Sequence, residues 1–93
     1  MKHVVHCKKE AYDVYIGRPS IWGNPFVVGA DGTRSEVIRK HAEWIVTQPD
    51  LMARIHELRG KRLGCWCSPK TCHGDILAKL ANDSSLTAFF DVQ

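Results

Sequence analysis

The chain has 93 residues, 44% of them hydrophobic and 25% charged, with a formal net charge of +3. That is room for one core and not for two, so a single domain over residues 1–93 is expected. No apolar run approaches the roughly 20 residues of a membrane-spanning helix, which removes the membrane as a partner. The charge excess is spread along the chain and permits an anionic ligand or a nucleic acid without demanding either.

Met1-Lys2-His3-Val4-Val5-His6 lacks the apolar centre of a secretory leader, so a cytoplasmic setting is expected, with the four cysteines reduced, metal-bound or reactive. His3 to Cys7 is β-branched and reads as the first strand, followed by a polar break at Lys8-Lys9-Glu10-Ala11. Asp13 to Ile16 reads as the second, stopped by Gly17-Arg18-Pro19-Ser20; links this short allow a hairpin or a tight bend. Ile21-Trp22-Gly23-Asn24-Pro25-Phe26 has neither helical nor strand period, yet its two aromatics need burial. Thr33-Arg34-Ser35-Glu36 matches a capping box and predicts a helix with Val37, Ile38, His41, Ala42, Ile45 and Val46 on its apolar face. Pro49 ends it and opens a second helix bearing Leu51, Met52, Ile55 and Leu58, closed by Arg59-Gly60. Lys61 to Cys67 reads as the third strand and Cys72 to Asn82 as the last helix, with Ile76, Leu77, Leu80 and Ala81 buried. Leu86, Phe89, Phe90 and Val92 predict a tail that docks back on the domain. The fold expected is a small α/β domain, Rossmann-like, whose short, mostly parallel sheet is flanked by about three helices.

Chemistry concentrates in Leu63 to Asp75, where a strand delivers Cys65 and Cys67 and a helix opens on Cys72-His73-Gly74-Asp75. Three readings compete for this cluster. Cys65, Cys67, Cys72 and His73 supply the four N/S ligands of a closed zinc site, though one residue between two cysteines in a strand is not the usual zinc spacing. Alternatively the helix start is a ligand or catalytic site. Its free N–H groups and dipole suit phosphate, Gly74 allows close approach, the dipole favours a Cys72 thiolate as nucleophile, His73 serves as base and Asp75 as orienter or acid. In the third reading the cysteines are small core hydrophobes, and Asp75 is a helix cap. Trp66 is expected in the core on the opposite face, and His41 as a satisfied core or boundary histidine.

If the second and third strands are neighbours, the Gly17 to Phe26 loop leaves the same sheet edge. Arg18 then forms the fork for phosphate, Gly17 and Asn24 line the pocket, and Trp22 or Phe26 stacks on a ring. The ligand-binding set is Gly17, Arg18, Trp22, Asn24, Phe26, Cys67, His73 and Gly74. The primary expectation is a pocket for a nucleotide or nucleotide-derived phosphate, with no resident cofactor. The alternatives are a zinc-stabilised module that binds protein or nucleic acid, and a Cys/His-dependent hydrolase or transferase acting on a nucleotide.

Tyr15-Ile16-Gly17-Arg18, Trp22-Gly23-Asn24-Pro25-Phe26, Gly64-Cys65-Trp66-Cys67 and Cys72-His73-Gly74-Asp75 together resemble the domain-of-unknown-function 4326 family of small phage and bacterial proteins. The likeness runs from Val4 to about Asn82. It implies a compact α/β domain with these loops as its signature, and a bacterial or phage-infected cell as its setting, but no assigned activity. The Cys-His pair opening a helix is also similar to the domain-of-unknown-function 488 group, by analogy alone.

Overall fold

A computed structural model of the chain describes residues 3–67 and 70–82. Strands β1 (Val4–His6), β2 (Val14–Tyr15) and β3 (Leu63–Cys65) form one sheet in the order β1-β3-β2, with both outer strands parallel to β3. Helices α1 (Arg34–Ile45), α2 (Pro49–Arg54), which runs on into a 3-10 turn over Ile55–Leu58, and α3 (His73–Asn82) complete the domain. The expected tail from residue 83 onward lies outside the described residues.

Only residues 7–13 separate β1 from β2, and the link is not a hairpin. Cys7 N–H donates to the Cys65 carbonyl at one end of β3, and Asp13 N–H donates to the Arg62 carbonyl at the other. Between them Tyr12 lies against Gly64, where a Cβ would stand 2.6 Å from the Tyr12 ring. The link therefore runs back across one face of the central strand, and both flanking strands can be parallel to it.

The opposite face carries α3. Strand side chains alternate, so Leu63 and Cys65 share a face and Gly64 takes the other. A Cβ on Gly74, in the first turn of α3, would meet Ile16 Cδ1 at 2.7 Å and Val4 Cγ1 at 3.1 Å. The absence of a side chain at Gly74 lets α3 sit directly on the sheet. Leu77, Ala78, Leu80 and Ala81 are buried behind it, with Ile76 half-buried. With Val5, Ile16, Ile45, Leu58 and Leu63 they make the core, each full-sized aliphatic contributing roughly 1.5–3 kcal/mol by burial.

Helix α1 begins where the capping box puts it. Glu36 N–H donates to Thr33 Oγ1 at 3.3 Å and Thr33 N–H donates to Glu36 Oε1 at 2.9 Å. The Thr33 N–H bond, helped by the Thr33 hydroxyl, holds the Glu36 carboxyl below the ordinary glutamate range. Val37, His41 and Ile45 face inward, Ile38 and Ala42 are half-buried, and Val46, expected on this face, is exposed at the cap. Pro49 occupies the first turn of α2, and Ile55 and Leu58 are buried one turn on. The end of that segment is tied to the end of α3: Arg59 Nε donates to the Ala81 carbonyl at 2.9 Å, and Gly60 N–H, at φ 74°, donates to Asn82 Oδ1 at 2.8 Å.

Strand β3 stops at Cys65, two residues earlier than its apolar pattern suggests. Trp66, expected in the core, instead stands outside it at 55% exposure.

Candidate functional site

The carboxyl ends of β2 and β3 and the start of α3 open on one cleft of about 330 Å³. Deeply buried Cys65, Cys72 and His73 belong to its lining. Gly17, Arg18, Asn24 and Phe26 come from the loop after β2, and Tyr15, Trp66 and Cys67 from the strand ends. Arg34, Val37 and Ile38 of α1 supply a further wall, which the sequence reading did not include. The two loops expected to form one pocket are thus brought together, and a hydrogen-bond chain joins them. Trp66 Nε1–H donates to Tyr15 Oη at 2.8 Å, and Tyr15 O–H donates to the Arg18 carbonyl at 3.1 Å. His6 meets the Trp66 ring edge-on at 5.9 Å, and Lys8 Nζ lies 5.5 Å from its centroid.

Other expected site residues have different placements. Trp22 is 4% exposed and packed into the core, so its ring is no stacking wall; Phe26, half-buried, is the loop aromatic that reaches the cleft. Asn24 Nδ2–H donates to the Val37 carbonyl at 3.2 Å and its Oδ1 accepts from Phe26 N–H at 2.9 Å. Its amide ties the loop to α1 and turns Phe26 into place. Gly74 lies under the sheet contact, so the close approach it allows is that of the helix to β1 and β2, not of a ligand.

The start of α3 is also occupied by the chain's own groups. Cys72 is its N-cap: Gly74 N–H donates to Cys72 Sγ at 3.3 Å, Cys72 N–H to Asp75 Oδ2 at 3.1 Å, and Asp75 N–H to the Cys72 carbonyl at 3.0 Å. Asp75 therefore acts as a cap, outside the cleft lining. The thiolate expected at Cys72 is disfavoured here. Contact with Cys65 Sγ at 3.2 Å and burial push the Cys72 thiol far up, outweighing the Gly74 N–H bond that favours the anion.

His73 is buried, and its Nε2 stands 2.7 Å from the Ile16 carbonyl, which makes that nitrogen the N–H donor. Burial holds its pKa below the ordinary histidine value, and the nearby Arg18 guanidinium adds to the effect. Because the ring is turned toward β2, the four-ligand set Cys65, Cys67, Cys72 and His73 does not converge. Among the described residues no group of three or more His, Cys, Asp or Glu side chains is placed to hold a metal ion. Behind His73 lies His41, its ring centroid 5.2 Å away. Neither His41 ring nitrogen has a hydrogen-bond partner among the described residues, so the satisfied core histidine expected from sequence is buried but not satisfied.

A family model described as Domain of unknown function (DUF4326) matches residues 1–83. The chain belongs to the DUF4326 family. It is 42% identical over 84 residues to an uncharacterised 12.4 kDa protein from the nrdA-td intergenic region of Enterobacteria phage T4, covering 85% of this chain and 76% of that one. To an uncharacterised protein of Acanthamoeba polyphaga mimivirus it is 36% identical over 86 residues, covering 73% of this chain and 65% of the relative. No solved structure matches it. No described helix is long and apolar enough to cross a membrane.

Proposed function

We propose that this DUF4326 domain binds a nucleotide or nucleotide-derived phosphate ligand in the cleft between the Gly17–Phe26 loop, α1 and the Cys65–His73 segment. One observation carries the reading: among the described lining residues there are two arginines, Arg18 and Arg34, from separate walls, and no carboxylate. Neither guanidinium has an ion-pair partner among the described residues. Two forked cations left unpaired in a partly enclosed site suit a phosphate, and Phe26 and Trp66 offer faces for a base. The volume lies at the small end of ligand pockets, which favours a mononucleotide-sized group.

Placement at the carboxyl ends of parallel strands supports the Rossmann-like reading, since open α/β sheets bind ligands there. With the Cys72, Gly74 and Asp75 N–H groups bonded within the chain, the phosphate falls to the arginines more than to the helix start. A protonated Cys72 thiol favours binding over nucleophilic turnover. In the cytoplasm of an infected or bacterial cell, such a domain would sequester a nucleotide signal.

Isothermal titration with inorganic phosphate, nucleoside mono-, di- and triphosphates, cyclic dinucleotides and ADP-ribose tests this. At least one nucleotide is expected to bind, with Arg18→Ala and Arg34→Ala each weakening it about tenfold or more, equivalent to about 1.4 kcal/mol. Silence across the panel from folded protein would sink the proposal.

A further inference from the structure

We infer that Cys65 and Cys72 are a redox-active pair, oxidised by a peroxide to a disulfide within the cleft. The two residues come from different elements, the end of β3 and the cap of α3, yet their sulfurs stand 3.2 Å apart. A disulfide is about 2.05 Å long, so closure asks the sulfurs to approach by only about 1.2 Å. Both residues line the cleft, which gives a small oxidant a route to sulfurs that are otherwise buried. Simple core packing accounts for either cysteine alone; it does not account for two thiols meeting side by side at a solvent opening. The inference does not depend on what the cleft binds.

The chemistry is balanced with one peroxide. One thiol loses its proton and its sulfur attacks a peroxide oxygen, so an S–O bond forms, the O–O bond breaks and a water leaves. The second sulfur then displaces the hydroxyl from the first. The S–S bond forms, the S–O bond breaks, and the hydroxyl departs as a second water with the remaining thiol proton. The sulfurs are oxidised by two electrons and the peroxide is reduced. Attack needs a thiolate, and the Cys65 contact with burial disfavours one at Cys72, so attack by Cys72 quickens as the pH rises.

The test treats the full-length reduced protein with hydrogen peroxide, blocks free thiols under denaturing conditions and maps the product by tandem mass spectrometry. The expected product is a monomer lighter by two hydrogens, linked Cys65 to Cys72, restored by dithiothreitol and formed faster at alkaline pH. Cys67→Ser and Cys7→Ser should still form the link, and Cys65→Ser should not. A link involving Cys67 or Cys7 instead, or sulfinic and sulfonic acids with no link, overturns the inference. Mapping the wild-type chain decides the matter even where a serine variant fails to fold.

Discussion

His41 brings a titratable ring into the core of α1 with both nitrogens unpartnered among the described residues, and it has a measurable consequence. Burial, with a smaller contribution from His73, lowers its pKa to about 4, from about 6.5 in an unfolded chain. The unfolded state therefore takes up this proton first. The stability tied to the neutral ring is complete above about pH 6.5 and is lost as the pH falls toward 4, on the order of 3 kcal/mol in all. His73 shifts in the same direction. Urea unfolding at a series of pH values should show this acid loss, and His41→Leu should flatten it while leaving stability at neutral pH equal or higher, because an unpartnered buried polar group is removed. An unchanged acid limb in His41→Leu would mean that another group carries it. At Gly74 the opposite is expected. Gly74→Ala drives a methyl into Ile16 and Val4 and should cost about 1–3 kcal/mol by chemical denaturation. Sequence alone placed both residues on the right element but could not say what faced them. His41 reads as an ordinary core residue, and Gly74 as room for a ligand, until α3 is set against the sheet.

At the scale of the element, the two capped helices differ in how openly they announce themselves. Thr33 and Glu36 are both oxygen-bearing residues with the spacing of a capping box, so α1 is legible to the residue. In α3 a cysteine occupies the cap and Asp75 reaches back to its N–H, an arrangement disguised because cysteine is not a preferred cap. Asp75→Ala should therefore destabilise the fold by about 1 kcal/mol in thermal or urea unfolding while leaving the affinity of any cleft ligand unchanged. A variant that kept its stability but lost binding or turnover would return Asp75 to the site. The same local reading failed at the end of β3. The apolar run continues through Trp66 and Cys67, but the ladder ends at Cys65, and Trp66 bonds to Tyr15 at the cleft mouth. Arg34 was missed for a different reason. Read from its helix alone it sits on the polar face of α1, and only the position of the 17–26 loop makes that face a wall.

Across the whole molecule, the cleft is assembled from segments far apart in sequence: residues 15–28, the first turns of α1, Cys65 to Cys67, and Cys72 with His73. That a strand delivers Cys65 and a helix opens at His73 on the same sheet edge was readable from pattern. The β1-β3-β2 order was not, because nothing in residues 7–13 declares that they cross the face of a strand more than fifty positions later. This construction makes ligand binding a stability measurement. A ligand that touches Arg18, Arg34 and the Cys65–His73 segment together binds only the folded chain, so at 100 times its Kd it should add about 2.7 kcal/mol. For a domain of this size that corresponds to a rise in Tm of roughly 10–20 °C. In the Arg18→Ala, Arg34→Ala double variant the ligand-free Tm should hardly move, since neither side chain has an ion pair among the described residues, yet most of the rise should vanish. Added salt should weaken the effect in the wild type by screening the two guanidinium groups. A nucleotide that raised the Tm of wild type and double variant equally would be held elsewhere, and the arginine wall would then have no part in binding it.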